Sequence, residues 1–136
     1  MSNKVFIDTL FVVALINQHD VYHDKATKLA DEYEGVSLLT TDVVLLEIGN
    51  ALARNFKEQA VEVIDDFLAS GEVEIVRLDP QLFDRAYSLY RQYRDKEWGL
   101  VDCVSFIVMR EAGVTSGLTF DQHFVQAGFQ ALLRDS

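Results

Sequence analysis

The sequence predicts an α/β protein: a mainly parallel sheet of about five strands, flanked by helices in three layers. Three observations predict it. Short apolar runs alternate with longer amphipathic stretches along the chain, the order that builds parallel sheets. The first run, Val5-Phe6-Ile7, is apolar without alternation, as in a strand covered on both faces. Residues 73–78 do alternate, as a half-buried strand nearer a sheet edge does.

Residues 4–7 are the first strand. The run Leu10-Phe11-Val12-Val13-Ala14-Leu15-Ile16 is a helix packed on it, with Asp8 or Thr9 as its cap. After a polar break at 17–20, residues 21–33 form a second helix with Ala26, Leu29, Ala30 and Tyr33 at helical spacing, and Gly35 ends it. Residues 36–40 are the second strand. Thr41 and Asp42 are good N-cap residues for a long helix to about residue 56, with Val44, Leu45, Ile48, Ala51 and Leu52 inward. On that helix Glu47, Asn50 and Arg54 share one stripe. A further helix covers 58–69 and closes at Gly71.

The strand at 73–78 leads to Asp79-Pro80, a cap followed by proline at the first helical position. That helix runs to about residue 93, with Leu82, Phe83, Ala86, Leu89 and Tyr90 on its inner face. A charged loop at 94–99 holds the one tryptophan, Trp98. The next helix covers 100–112 and ends at Gly113; Asp102 lies in its first turn. Residues 115–120 contain the fourth strand, with Asp121 immediately after. Residues 122–127 are a short helix and 129–133 the last strand.

At 136 residues the natural expectation is a single domain, 1–136. The start lacks the pattern of a signal peptide, and no stretch reaches the length of a membrane span. Cys103 is the only cysteine, so no intrachain disulfide forms. A cytoplasmic protein is expected. The net charge of −10 argues against a broad basic footprint on nucleic acid. It leaves open action on nucleic acid through a divalent cation, which neutralises clustered acids.

Four acids invite that chemistry. Asp8 and Asp121 follow strands at their carboxyl ends. Glu47 lies in the second turn of the helix that starts where strand two stops. Asp102 opens a helix that must run antiparallel to the strand it enters, so its N-terminus lies at the same edge. Ligands of open parallel sheets bind at that edge. Clustered carboxylates are ligands for Mg²⁺ or Mn²⁺, and such ions polarise phosphoryl oxygens and acidify bound water. The alternative is that Asp8, Asp102 and Asp121 are helix caps or first-turn acids; Glu47 is a turn too deep for that.

Ile7-Asp8-Thr9, Leu46-Glu47-Ile48-Gly49-Asn50-Ala51-Leu52, Leu100-Val101-Asp102-Cys103-Val104-Ser105-Phe106 and Leu118-Thr119-Phe120-Asp121-Gln122-His123-Phe124 together resemble the PIN-domain family, in particular the VapC-type toxin ribonucleases of toxin–antitoxin pairs. The resemblance spans the chain in order. It implies a parallel sheet of about five strands and an Mg²⁺- or Mn²⁺-dependent endoribonuclease. Asp8, Glu47 and Asp102 would be the core metal ligands and Asp121 the more variable fourth. It also implies an RNA substrate, a small antitoxin as partner and, often in this family, a homodimer. Leu10 departs from the family, where many relatives carry Ser or Ala.

Further residues have two readings each. Thr9 and Thr119 orient ligands or water, or are simply buried strand-end threonines. Asn50 and Arg54 meet the RNA backbone, or form a solvated helix face. Ser105 is packing. His123 is closer to surface or core chemistry than to catalysis. Trp98 stacks on a base or is buried against the sheet rim. Two enzyme rivals fail on residues: a haloacid-dehalogenase-type phosphatase needs Asp where Leu10 stands, and a receiver domain needs a Lys after the last strand, where Leu133-Arg134 stands. The rival from another class is a non-catalytic binding module whose acidic pocket serves a basic partner segment.

Overall fold

In the computed structural model, which describes residues 4–135, five parallel strands stand in the order β3-β2-β1-β4-β5. They are β1 (Val5–Ile7), β2 (Leu38–Thr41), β3 (Val73–Val76), β4 (Ser116–Leu118) and β5 (Gln130–Ala131). Helices α1 (Thr9–Ile16) and α2 (His23–Glu32) join β1 to β2, and α3 (Asp42–Leu52) and α4 (Lys57–Ala69) join β2 to β3. Then α5 (Pro80–Gln92) and α6 (Leu100–Ala112) lead to β4, α7 (Gln122–Gln126) to β5, and α8 (Leu132–Asp135) follows. Because every strand pair is parallel, each helix pair returns the chain to the starting edge, and the carboxyl ends of all strands share one rim.

The three residues of β1 are all buried, which explains their unbroken apolar run at the sheet centre. Edge strand β3 is only partly buried, and its alternation reflects that. Two caps follow the sequence: Thr41 accepts from the Val44 N–H, and Asp79 from the Leu82 N–H at 2.7 Å, with Pro80 opening α5. Gly113 takes φ +69° to end α6, a conformation that strains residues with a Cβ.

Four local expectations change. The long helix stops at Leu52 instead of continuing to residue 56, because the chain turns there to lay α4 down. Arg54 therefore falls in the turn, off the Glu47–Asn50 stripe. Ala51 is exposed, since the buried stripe runs through Val44, Ile48 and Leu52. On α5 the inner face is Leu82, Ala86 and Leu89, while Phe83 and Tyr90 are exposed and join Tyr87 in an outer stripe. Finally, only Gln130 and Ala131 extend the sheet before the chain turns helical at Leu132.

An aromatic chain ties the last helices to the central strand. Trp98 packs edge-on to Phe106 at 5.1 Å, Phe106 edge-on to Phe124 at 5.1 Å, and Phe124 lies 6.2 Å from Phe6. Edge-to-face geometry adds about 0.5–1.5 kcal/mol per pair beyond burial. Phe106 and Phe124 are fully buried, so α6 and α7 hold fixed positions relative to β1. Trp98 is buried and donates from Nε1 to Gln126 Oε1 at 2.9 Å; it is a packing residue and has no free face for a base.

Candidate active site at the carboxyl edge

The strand order places a topological switch at the centre of the sheet. From β1 the chain runs outward through β2 to β3, then crosses back to β4 and β5 on the other side. The crevice at such a switch, outside the carboxyl ends of the strands, is where open α/β sheets bind ligands. Here it is the end of β1 and the segment after β4. An open cleft of about 470 Å³ lies there, lined by Asp8, Thr9, Leu10, Glu47, Asn50, Ala51, Asp102 and Asp121. A separate recess lined by Phe11, Leu15, Tyr33, Val63 and Phe67 among others is mainly apolar, with Glu34, Asp66 and Glu72 also in its lining, and none of the residues of the cleft lines it.

Each acid in the cleft accepts a hydrogen bond. Thr119 Oγ1 donates to Asp8 Oδ2 at 2.8 Å across the switch between β1 and β4. The same hydroxyl accepts from the Asp121 N–H at 3.1 Å. Thr9 Oγ1 donates to Glu47 Oε1 at 2.9 Å, tying α1 to α3. Asp102 Oδ2 accepts from the Gly99 N–H at 3.0 Å, and His123 Nδ1 lies 3.0 Å from it. Asp121 Oδ1 accepts from the His123 N–H at 2.9 Å. For Glu47, Asp102 and Asp121 these bonds fall on one oxygen, and no hydrogen bond among the described residues takes the other.

The capping alternative divides the acids. Asp102 and Asp121 do accept from helix-opening N–H groups. Asp8 stands at the N-cap position of α1, yet its side chain makes no cap bond; it turns toward Thr119. Burial pushes the Asp8 carboxyl up to about 7, helped by the charges of Asp102 and Asp121 and opposed by the Thr119 hydroxyl and the Thr9 backbone. Burial also raises Asp102, against the hydrogen bonds from Gly99 and His123, with repulsion from Asp121 adding to the rise. Repulsion among these acids means that their charges are felt across the cleft, which a bound cation would relieve.

The tightest cluster is Asp102, Asp121 and His123, whose ligand-type atoms all lie within 4.8 Å of one another. Asp8 and Glu47 line the same cleft outside that cluster. Thr9 and Thr119 touch acids directly, Asn50 lines the cleft, and Arg54 is exposed and lines none of it. Ser105 is buried, as packing requires. Sequence reasoning gave His123 no part in the site; it lies in the first turn of the helix that Asp121 caps, and its contact with Asp102, 21 residues away, has no local sequence signal.

Residues 5–130 match the PIN domain family. The chain belongs to that family. Within it, the chain is 30% identical to the 23S rRNA-specific endonuclease VapC20 of Mycobacterium tuberculosis over 125 residues, in each of two strains, covering 92% of this chain and 95% of the relative. The crystal structure of that VapC20, described as a sarcin-ricin loop cleaving toxin, superposes with a TM-score of 0.83 at the same 30% identity and the same coverage, 92% of this chain and 95% of the other. The five-stranded parallel sheet and its flanking helices are thus those of a PIN domain. Among the described residues no helix is long and apolar enough to cross a membrane.

Proposed function

We propose that this PIN domain is a metal-dependent endoribonuclease, the toxin of a toxin–antitoxin pair. One observation carries the reading. Four carboxylates from four separated segments line one cleft at the switch point of the sheet, in a chain similar to a named ribosomal RNA endonuclease.

Asp8, Glu47, Asp102 and Asp121 are the residues that would hold the cation. Their all-oxygen donor set suits Mg²⁺ or Mn²⁺. When bound, such an ion supplies Lewis acidity toward a phosphoryl oxygen and toward water. The chain does the rest. Thr9 and Thr119 fix the rotamers of Glu47 and Asp8 through single hydroxyl donors. Asn50, on the cleft wall, would meet the phosphate backbone; Arg54 is exposed and lies outside the cleft lining. An acidic cleft repels an RNA strand until a cation enters, so metal and substrate bind cooperatively. The same acidity fits a basic segment of a small antitoxin. We further take the protein to be cytoplasmic, with residues 1–136 forming one domain and a homodimer as the assembly common in the family.

Purified full-length protein, incubated with total RNA in Mn²⁺ and in EDTA, tests this; ribosomal RNA is the first substrate to follow, given the relative's name. Cleavage in Mn²⁺ that disappears in EDTA and in Asp8→Asn is expected. RNA left intact by the wild type under every metal condition overturns the enzyme reading. Loss of a small co-purifying partner in Glu47→Arg would then favour the binding module.

A further inference from the structure

Resting on the reading of the four acids as metal ligands, we propose that His123 is the positioning residue of the site, clamping Asp102 and Asp121 together so that one oxygen of each is left for the cation. Asp102 opens α6 and Asp121 caps α7, so two like charges from separate helices meet across a gap. Like charges at that range repel and would splay apart in solution.

His123 bridges them with three contacts. Its Nδ1 lies 3.0 Å from Asp102 Oδ2 and 3.4 Å from Asp121 Oδ1, and its backbone N–H donates to Asp121 Oδ1. An ionised Asp102 Oδ2 can only accept, so a hydrogen bond from the ring nitrogen facing it needs the proton on that nitrogen. This sets the tautomer, Nδ1–H, and directs the clamp to Asp102 Oδ2 and Asp121 Oδ1. Asp102 Oδ1 and Asp121 Oδ2 remain without a hydrogen bond among the described residues. Partners that orient metal-binding side chains in this way typically contribute 10–100-fold to affinity.

The imidazole is not needed to hold α7 in place. Phe124 anchors that helix in the core, against Phe6 and Phe106, and the cap from Asp121 uses the backbone of residue 123. The ring itself is partly exposed, at 21%. Its removal therefore disturbs the two acids while the fold stays.

Mn²⁺ titrations of the full chain, read by electron paramagnetic resonance of the free ion, test the clamp. His123→Ala is expected to weaken Mn²⁺ by about 10–100-fold with an unchanged circular dichroism spectrum. Asn places an N–H close to the position of Nδ1, so His123→Asn recovers most of the affinity. Gln reaches instead to the position of Nε2, and His123→Gln does not recover it. Nitrogen-15 shifts of the metal-free ring show a protonated Nδ1. Mn²⁺ bound equally by His123→Ala and wild type overturns the proposal. So does His123→Asn binding no better than His123→Ala, the result expected of an imidazole that ligates the ion itself, or an unprotonated Nδ1. A wild-type chain that binds no Mn²⁺ at all overturns the four-acid reading first, and the clamp with it.

Discussion

Asp8 and the pair Asp102–Asp121 line one cleft on opposite terms. Asp8 is 7% exposed and pays for its burial with a carboxyl raised to about 7. Its side chain makes no cap bond, and it is held by the Thr119 hydroxyl and the Thr9 backbone. The Asp102 and Asp121 side chains are 19% and 23% exposed, and each accepts a backbone N–H at the start of a helix. Burial also raises the Asp102 carboxyl, but the cap bond it accepts from the Gly99 N–H offsets part of that cost, and Asp121 caps α7. Asp8 destabilises the fold, and folding alone gives no reason for a carboxylate there. The difference makes Asp8 the acid on which the proposed function is most sharply tested.

The sharpest test of that difference is Asp8→Asn. RNA cleavage should fall by about 10³-fold or more, the scale seen when one preorganised electrostatic group is removed. Metal-free Tm should rise at pH 8, because the amide needs no charged-group solvation; each kcal/mol recovered is about 3 °C at this chain length. Calorimetry in EDTA reads the rise directly, and a fall of several degrees would show that Asp8 holds the fold. Adding Mn²⁺ should raise the Tm of the wild type and leave that of Asp8→Asn unmoved.

Asp102→Ala should lose cleavage to a similar degree without the gain in stability. Its missing cap on the Gly99 N–H costs about 1 kcal/mol, which offsets the relief of desolvation. A metal-free Tm that rises as far as in Asp8→Asn would erase the distinction between the two halves of the cleft.

The shared rim was legible in the sequence because chain direction alone decides it. A helix that enters a parallel strand starts at that strand's carboxyl edge, and the all-parallel sheet meets that condition. Local choices were harder. Helix α5 carries two apolar stripes, Leu82-Ala86-Leu89 and Phe83-Tyr87-Tyr90, with the same four-then-three spacing. Periodicity cannot say which one faces the core, and the expected inner face merged the buried stripe with Phe83 and Tyr90 from the other. The end of α3 has no Gly or Pro in Ala53-Arg54-Asn55 to mark it; packing of α4 sets it. The contact between His123 and Asp102 joins residues 21 apart through the Phe106–Phe124 packing, a tertiary fact with no local signature. Cap residues such as Asp79 announce themselves, whereas the rotamer of Asp8 depends on Thr119, 111 residues away.

Thr119→Val probes that dependence with a smaller effect. Valine keeps the buried shape and removes the donor to Asp8. A hydrogen bond to a charged group is worth about 1.5–3 kcal/mol, so Mn²⁺ affinity near neutral pH should drop by roughly tenfold as the Asp8 carboxyl moves further up. The loss should shrink at higher pH, where Asp8 is ionised in both proteins. A loss equal at every pH would mean that the hydroxyl acts on something other than Asp8.

The pH dependence of stability separates the two halves of the cleft most finely. An unperturbed Asp carboxyl titrates at 3.8 and the folded Asp8 at about 7. Between those values the folded chain holds a proton that the unfolded chain has released. Stability from this group is therefore complete below 3.8, falls as pH rises through the window, and stays at its lower level above 7. Asparagine mimics the protonated acid and has no such window. In EDTA, the Tm of Asp8→Asn should match that of the wild type near pH 4, rise above it progressively to about pH 7, and then run parallel. Carboxylates remote from the cleft are common to both proteins and cancel in the difference, whereas Asp102 and Asp121 feel the Asp8 charge and contribute to it. Two curves parallel across the whole range would mean that Asp8 is ionised in the folded chain at no cost, and the contrast with Asp102 and Asp121 would fall.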